Sequence, residues 1–539
     1  MANASLSESH LRKEAGPIGL MFASVSAMIG SGWLFAGLHA AKTAGPGAIW
    51  SWVVGAVAVM LLALVFSEIT TMMPKSGALV HMSYVSSGVM VGRVWGWLLF
   101  FAYVSVGPVE VEAVLTYANN YIPGLVDPQS GVLTAMGFVS AMVILAIFVG
   151  LNMMIVRYVL MVNTVATWWK IAIPVLTVVI LISLSYHPGN MTITKGDGGI
   201  TGIFSAVATA GVVFSLLGFR QAIDMAGETA NPSRNIPLAV IGSVILSSVI
   251  YIALQFAFIT ALNPADIAKG WGNLHFSGIT GPLAAISITV GAAWWGAVLY
   301  VDAIISPGAT GFIYSTATSR ITMAAGEMMS FPSIFARVNK NGVPVAALIL
   351  TYVVGVVFFF PFPAWQKLVG YITSITVLTY GIGAVVLLHL RRTSPEATRP
   401  FKLAGAWILA PLSFIVSTWI IQWTGLETGN FLFGAIAVLF AVYVAIYYAT
   451  GGAQKAPFGW ATGWWLIPYF GGLWLLDYFG PKAMGGIDAM SFYTSLVVGA
   501  VFSLLILWLA LNTGLSKEET DGYLSRITAS AGAEDGLSL

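Results

Sequence analysis

The sequence predicts an all-α polytopic membrane protein with about fourteen transmembrane helices. Of the 539 residues, 58% are hydrophobic and only 8% are charged, whereas soluble domains carry roughly 25% charged residues. Apolar stretches long enough to cross a bilayer as helices recur along the whole chain. They are roughly twice as long as a membrane-spanning strand and do not alternate, which argues against a β-barrel.

The predicted spans follow one another with mostly short polar connections, and the sequence contains no soluble domain. Their approximate limits are 17–39, 46–73, 94–119, 131–151, 158–184, 200–226, 237–262, 286–319, 344–361, 366–390, 405–424, 430–450, 461–478 and 490–512. The polar segments 1–16 and 514–539 are expected to be tails. The segment 320–342 is expected to be an amphipathic helix on the membrane surface. Its apolar side would be Met323, Met328, Met329, Phe331 and Phe335.

The basic residues predict how the chain is oriented. With the amino terminus placed in the cytoplasm, most of the 23 Lys and Arg residues fall in inner loops and tails. The positive-inside rule therefore predicts a multi-pass protein of the cytoplasmic membrane with both termini in the cytoplasm. The net charge of +2 reflects this asymmetry and indicates no nucleic-acid partner. The absence of cysteine excludes disulfides and thiol chemistry.

Two of the predicted spans contain breaks. The first is interrupted by Ile-Gly-Ser-Gly at 29–32, and the sixth has small and polar residues within 211–221. Broken helices persist in lipid mainly where the freed backbone lines a cavity. Two breaks five spans apart are typical of two inverted five-helix repeats, here about 17–184 and 200–390 within a core at 17–390, with further helices at 391–513. The alternative is that Gly30, Gly32 and Gly218 only allow close helix packing.

Five motifs in the first half of the chain are distinctive. They are Ile-Gly-Ser-Gly-Trp-Leu-Phe at 29–35, Ala-Gly-Pro-Gly-Ala-Ile at 44–49, Phe-Ser-Glu at 66–68, Met-Pro-Lys-Ser-Gly at 73–77 and Gly-Glu-Thr-Ala-Asn-Pro-Ser-Arg-Asn-Ile-Pro at 227–237. Together they resemble the amino acid, polyamine and organocation (APC) transporter family. The resemblance covers at least the first ten spans and implies the LeuT-like fold and secondary transport of an amino acid or amine. Within the family, the charged positions are most similar to those of bacterial aspartate:proton symporters.

The two breaks are the expected substrate site. Amides freed at the first break lie at the positive end of the following half-helix, which favours a carboxylate. Carbonyls freed at the second break can accept the α-ammonium group of an amino acid, and the resemblance implies that Phe214 is an aromatic lid. The expected substrate-binding residues are Ile29, Gly30, Ser31, Gly32, Phe214, Ser215, Leu217, Gly218 and Arg220.

Lys170 lies near the middle of the fifth predicted span. A lone amine is costly in hydrocarbon, which makes it a group that can exchange a proton during transport. The resemblance implies the same role, because proton-coupled members have a lysine in this helix where sodium-coupled relatives bind sodium. The alternative is that the side chain snorkels to the membrane interface.

Arg220 departs from the family pattern, because many relatives have glutamate at this position. A guanidinium stays charged and binds a carboxylate through two parallel hydrogen bonds. An arginine that faces the cavity therefore favours a substrate with a side-chain carboxylate. The alternative is an internal ion pair with Asp224, one helical turn away, or with Glu110 or Glu112.

Further carboxylates lie inside the predicted spans. Glu110 and Glu112 fall on different faces of one helix and are expected to differ in role, one of them carrying protons or pairing with Arg220. Asp302 is a further candidate for a proton relay, whereas Glu68 is expected to be structural. The six histidines make no metal-ligand spacing, and no phosphate loop or hydrolytic triad is present. The sequence therefore predicts no metal, no cofactor and no enzyme.

The function predicted by these features is proton-coupled symport of an amino acid by alternating access. Aspartate or glutamate is the leading substrate, and the partners are this amino acid, protons and the lipid bilayer. One alternative is a transporter or exchanger of neutral amino acids or amines in the same fold, with Arg220 acting only as a gate. Another is an ion channel. The sequence does not determine the oligomeric state.

Overall fold

The computed structural model of the protein describes residues 16–75, 77–127, 130–153, 156–276, 281–328, 330–339, 343–360, 364–449 and 458–535. In these residues the chain is almost entirely helical. The predicted amino-terminal tail lies outside the described residues except for Gly16, and Met329 also lies outside them.

The first five predicted spans correspond, where the structure describes the chain, to seven helices. In chain order these are α1 (Pro17–Met28), α2 (Gly32–Ala44), α3 (Ala48–Met72), α4 (Ala78–Val104), α5 (Val106–Ala118), α6 (Ala135–Leu151) and α7 (Val156–Leu184). The first predicted break is present, because α1 ends at Met28 and α2 begins at Gly32.

Among the described residues, the next five predicted spans and the connections between them contain eight helices. They are α8 (Gly199–Thr209), α9 (Arg220–Asp224), α10 (Pro232–Ala261), α11 (Pro264–Ile267), α12 (Pro282–Thr289), α13 (Ala293–Glu327), α14 (Val345–Phe358) and α15 (Trp365–Thr393). The second break separates α8 from a 3₁₀ turn at Phe214–Phe219, and the axis bends by 42° there. Gly211 supports this break with a φ of +91°, a conformation that glycine adopts without steric cost.

In the part of the chain that the structure describes, the C-terminal region adds six helices. They are α16 (Ala406–Trp423), α17 (Leu426–Ala449), α18 (Trp460–Gly463), α19 (Leu466–Phe479), α20 (Phe492–Thr513) and α21 (Lys517–Asp535). The polar carboxyl-terminal tail therefore forms a helix over most of its length.

Each of the fourteen predicted spans coincides with helix, but fewer segments qualify as spans by length and hydropathy. In the part of the chain that the structure describes, nine segments qualify, or ten if the bent pair around the second break is one span. The difference arises because α1, α6 and α14 are short, and because neighbouring helices such as α2 and α3 merge into one apolar segment. The count of fourteen and the division into repeats stay predictions.

The predicted surface helix at 320–342 is wrong. Helix α13 continues through Arg320 to Glu327, and the next regular element is a 3₁₀ turn at Ser333–Ala336. Phe331 packs against the ring of Phe100, with ring centroids 5.2 Å apart. Phe331 is half-buried and is therefore partly covered by protein.

Helix α1 lies at the centre of the core. It contacts α10, α7, α9, α13 and the 3₁₀ turn of the second break. Helix α15 contacts both α5 and the same turn. The two breaks therefore meet in the interior, surrounded by helices that come from distant parts of the sequence.

Candidate functional site at the helix breaks

A small cavity lies between the two broken helices. It is lined by Ala27, Met28, Val106, Glu110, Phe214, Leu217, Arg220, Thr310, Tyr314 and Ile372. Four predicted site residues, Glu110, Phe214, Leu217 and Arg220, therefore share one cavity. A larger groove between α17 and α19 is lined mainly by apolar side chains and by no charged one, so the small cavity is the candidate site.

The first break is occupied by a protein carboxylate. The Ser31 amide donates a 2.7 Å hydrogen bond to Glu110 Oε2. A Cβ added at Gly30 would lie 2.6 Å from Glu110 Oε1 and 2.9 Å from Thr310 Oγ1. Glycine at this position therefore makes room for polar side chains. The Ser31 amide, one of the groups predicted to bind a substrate carboxylate, is therefore bonded to the carboxyl group of Glu110 in this structure.

The second break packs directly against the first. A Cβ added at Gly32 would overlap the Ser215 hydroxyl, and one added at Gly218 would lie 2.5 Å from the Met28 amide nitrogen. Close packing therefore accounts for Gly32 and Gly218, as the alternative interpretation proposed. The neighbours of Gly30 are similarly close, so packing also requires glycine at this position.

Lys170 is fully buried inside the protein. Its Nζ donates one hydrogen bond of 2.7 Å to the Ser26 carbonyl and another of 2.7 Å to Thr310 Oγ1. Ser26 lies in the last turn of α1, and Thr310 also contacts the Ile29 carbonyl at 3.4 Å. Lys170 therefore ties α7 and α13 to the backbone just before the first break.

Arg220 is fully buried among tyrosines. Its guanidinium carbon lies 3.8 Å from the ring centroid of Tyr103 and 4.8 Å from that of Tyr314, a cation–π arrangement. Among the described residues, its three nitrogens have no hydrogen-bond partner of good geometry. Asp224 instead accepts a short hydrogen bond from the Tyr103 hydroxyl.

No described carboxylate forms an ion pair with Arg220; the pairs in that part of the chain join other residues. The rings of Tyr103 and Tyr314 stabilise the buried charge electrostatically. The internal ion pair considered from the sequence is therefore not formed among the described residues, and Arg220 is surrounded by tyrosines beside the cavity.

Asp302 lies outside the cavity and is well bonded. Its carboxylate accepts hydrogen bonds from Trp33 Nε1 at 3.1 Å, Trp169 Nε1 at 2.8 Å and Ser306 Oγ at 2.7 Å. These donors belong to α2, α7 and α13. Asp302 therefore connects the half-helix after the first break to the helix that carries Lys170.

Glu112 and Glu68 also lie away from the cavity. Both oxygens of buried Glu112 lack a hydrogen-bond partner among the described residues. Glu68 forms hydrogen bonds of 3.0 and 2.6 Å with Arg391 and accepts the Leu403 amide at 2.7 Å. Glu68 thus joins α3 to the end of α15, which is a structural position.

Several residues around the cavity were not predicted. They are Tyr103, Thr310, Tyr314, Trp365 and Tyr380. The polar run Ser-Pro-Gly-Ala-Thr at 306–310 inside an apolar helix is a signal that would have indicated Thr310. The aromatic residues have no comparable signal, because 13% of the chain is aromatic.

Comparison with known proteins identifies the family. The amino acid permease family model matches residues 16–473. The chain belongs to this family. It is 36% identical over 521 residues to the glutamate/serine transporter AimA of Bacillus subtilis, covering 94% of this chain and 95% of that protein. It is 31% identical over 521 residues to an aspartate-proton symporter of the same organism, covering 95% and 99%.

A branched-chain amino acid permease, BcaP of Bacillus subtilis, is 24% identical over 436 residues, covering 78% of this chain and 89% of that protein. Family membership confirms the predicted relationship to APC transporters and the LeuT-like fold class. This amino acid permease is accordingly a multi-pass membrane transporter and not an enzyme.

Proposed function

We propose that this permease is a proton-coupled symporter of acidic amino acids, with aspartate or glutamate as substrate. The observation that carries the proposal is Arg220, a buried cation in the cavity wall that forms no ion pair with a described carboxylate and whose nitrogens make no hydrogen bond of good geometry to a described residue. A side-chain carboxylate supplies two acceptors in the geometry that a guanidinium prefers. The names of the glutamate/serine and aspartate-proton relatives support a substrate of this class.

The remaining groups of the substrate have places at the two breaks. Its α-carboxylate is proposed to bind the Ser31 amide, the position that Glu110 fills in this structure. Its α-ammonium group is proposed to bind carbonyls in the turn at Phe214–Phe219, where the Leu217 carbonyl now accepts the Tyr380 hydroxyl at 3.2 Å. Phe214 lines the cavity and is proposed to cover the substrate.

Competition for the Ser31 amide would couple substrate to protons. Two carboxylates cannot share this site, so a bound substrate favours protonated Glu110, which no longer needs the amide. By thermodynamic reciprocity, protonation of Glu110 then favours substrate binding. A transporter built in this way takes up a proton together with its substrate.

Lys170 is proposed as the second proton-exchanging group. Loss of its proton removes the charge and turns one donor position into a lone pair, which weakens its hold on Ser26 and Thr310. Asp302, Ser306 and Thr310 lie one turn apart on one face of α13 and lead to Lys170. We propose this row as the relay, whereas Glu112 is not part of it.

The proposed location is the cell membrane, with both termini in the cytoplasm and transport by alternating access. The side of the protein that faces the amino terminus is then the cytoplasmic side. Two ion pairs lie there, Arg320 with Glu228 at 2.7 Å and Lys75 with Glu327 at 4.0 Å. Both are proposed to separate when the cavity opens inward.

Transport of neutral amino acids is the second candidate. The AimA relative is named for serine as well as glutamate, and an Arg220 held by Tyr103 and Tyr314 also suits a gate that touches no substrate. The same fold would then bind serine at the breaks alone.

Uptake into proteoliposomes tests the proposal. Purified protein is given labelled aspartate, glutamate, serine or asparagine under an inward proton gradient without sodium. We expect aspartate or glutamate to accumulate and an uncoupler to abolish the accumulation. Preferred uptake of serine or asparagine would contradict the acidic substrate, and accumulation that persists with the uncoupler would contradict proton coupling.

A further inference from the structure

Trp365, the first residue of α15, contacts both helix breaks. Its Nε1 donates a 2.9 Å hydrogen bond to the Ser31 hydroxyl. Gly211 packs against the other end of the indole, because a Cβ added at Gly211 would lie 2.9 Å from Trp365 Cη2. The ring of Phe214 stands nearly perpendicular to the indole, with centroids 6.2 Å apart. One side chain therefore joins the first break to the second.

The indole is covered by two rings of α2. Phe35 lies 5.0 Å from it and His39 5.5 Å, measured between ring centroids, and His39 is nearly parallel to the indole. These residues are one and two turns beyond the first break, on the side away from the amino terminus. Only 6% of Trp365 is exposed. This aromatic layer separates the cavity from the side opposite the amino terminus.

Helix α15 spans the cavity from this layer to the tyrosines around Arg220. Ile372 of α15 lines the cavity, and Tyr380 of α15 donates to the Leu217 carbonyl. Trp365 and Tyr380 are about 22 Å apart along the helix axis. Both ends of this stretch of α15 are therefore hydrogen-bonded to the broken helices in the same structure.

We propose that Trp365 is the lid that closes the cavity on the side opposite the amino terminus, and that its hydrogen bond to Ser31 slows release of the substrate. The proposal rests on the transport function proposed above, which makes this side extracellular. Opening requires the indole to leave Ser31 and Gly211 together. One net hydrogen bond corresponds to a change of about two- to tenfold in the rate of opening.

A cysteine reporter tests the lid directly. The chain has no cysteine, so Val106→Cys places a single thiol in the cavity wall. A membrane-impermeant maleimide added to intact cells reaches this thiol only through an open lid. We expect Trp365→Ala to label about tenfold faster than the protein with Trp365 intact.

Two milder variants isolate the hydrogen bond. Trp365→Phe keeps an aromatic ring without the N–H, and Ser31→Ala removes the acceptor. Each should increase labelling about two- to tenfold, and the double variant should label no faster than either alone, because both changes remove the same bond. Trp365→Phe also replaces Trp365→Ala as the deciding variant if the latter fails to fold.

Trp271→Phe is the matched control. Trp271 is fully buried and donates a 2.7 Å hydrogen bond to the Ile193 carbonyl, away from both breaks. Loss of this hydrogen bond in Trp271→Phe should lower thermal stability but should not increase the rate at which the Val106→Cys thiol is labelled. Equal labelling in the Trp365 variants, the Trp271 variant and the parent would overturn the lid.

The comparison of the Trp365 variants with the parent is made without substrate and without a proton gradient, so it separates the lid from the proposed function. Protection of the Val106→Cys thiol by aspartate supports the acidic substrate. Faster labelling in Trp365→Ala without protection by aspartate would support the lid and contradict the substrate. Protection by aspartate, with labelling in Trp365→Ala no faster than in the parent, would support the acidic substrate and contradict the lid.

Discussion

Replacing Arg220 by lysine tests the basis of the proposed specificity. The change keeps a positive charge but removes the planar fork that binds a carboxylate through two hydrogen bonds. Arg220 is completely buried, so water cannot replace the lost bonds. A hydrogen bond to a charged group is worth about 1.5 to 3 kcal/mol, which corresponds to roughly a ten- to hundredfold loss of affinity.

Asparagine provides the comparison that isolates this effect, because it differs from aspartate only in the side-chain carboxylate. We expect Arg220→Lys to lose most of the preference for aspartate over asparagine while binding asparagine almost as before. Competition of both ligands against labelled aspartate on purified protein measures this ratio. The pair also distinguishes lost recognition from a general loss of binding.

The matched control is Arg93→Lys. Arg93 donates to the Tyr443 hydroxyl at 2.8 Å and lies 5.9 Å from the centroid of the same ring, away from the cavity. The Arg93→Lys variant therefore shows how much an arginine-to-lysine change beside a tyrosine lowers the stability of the protein when the cavity is unchanged. Equal losses for aspartate and asparagine in Arg220→Lys would refute the reasoning, and would indicate a structural or gating role. Rescue of the variant by Asp224→Asn would support that role.

Three further predictions concern coupling and the first break. Lys170→Ala should abolish accumulation driven by a proton gradient while exchange of bound substrate continues; gradient-driven uptake at the parent rate would contradict its role. In the parent protein, aspartate affinity should rise as the pH falls, because protonated Glu110 releases the Ser31 amide. Glu110→Gln should make affinity independent of pH, and an unchanged pH slope would refute the competition. Gly30→Val should block binding, because the new side chain would displace neighbours that lie within 3 Å of an added Cβ. Gly19→Val is the control and should bind normally, because no atom lies within 4 Å of an added Cβ there. Equal affinity in both variants would contradict the first break as a site.

The breaks could be predicted because each is a local feature of the chain. Glycines inside an apolar span weaken the helix whatever surrounds it. The importance of the charged residues in the spans could be predicted in a similar way. Burial of Lys170 or Arg220 in hydrocarbon is costly in any fold, so a charge inside a span indicates a functional role. The structure retains the first break at 29–31 and the second before Phe214.

The choice between Glu110 and Glu112 was not predictable from the sequence. Side chains two residues apart point about 200° apart around a helix, so the sequence shows that the two glutamates face different ways. Which of them meets the first break depends on how α5 is rotated against α1. The structure places Glu110 there and leaves Glu112 without a partner among the described residues.

The surroundings of Arg220 were also decided by tertiary structure. The spacing within one helix pointed to Asp224 as its partner. Tyr103 of α4, 121 residues earlier in the chain, binds Asp224 instead and stacks on the guanidinium. The spacing of residues on one helix cannot predict the position of an aromatic side chain that comes from a different helix.

The sequence by itself determined the membrane class, the two breaks and the ionisable residues inside the spans, because these follow from composition and local pattern. Only the tertiary structure decided that Ser31 meets Glu110, 79 residues away, and Trp365, 334 residues away. In lipid the surface of a helix is apolar on every side, so hydropathy does not select which faces meet. Close packing and a few buried hydrogen bonds select them, and these exist only after the helices have assembled.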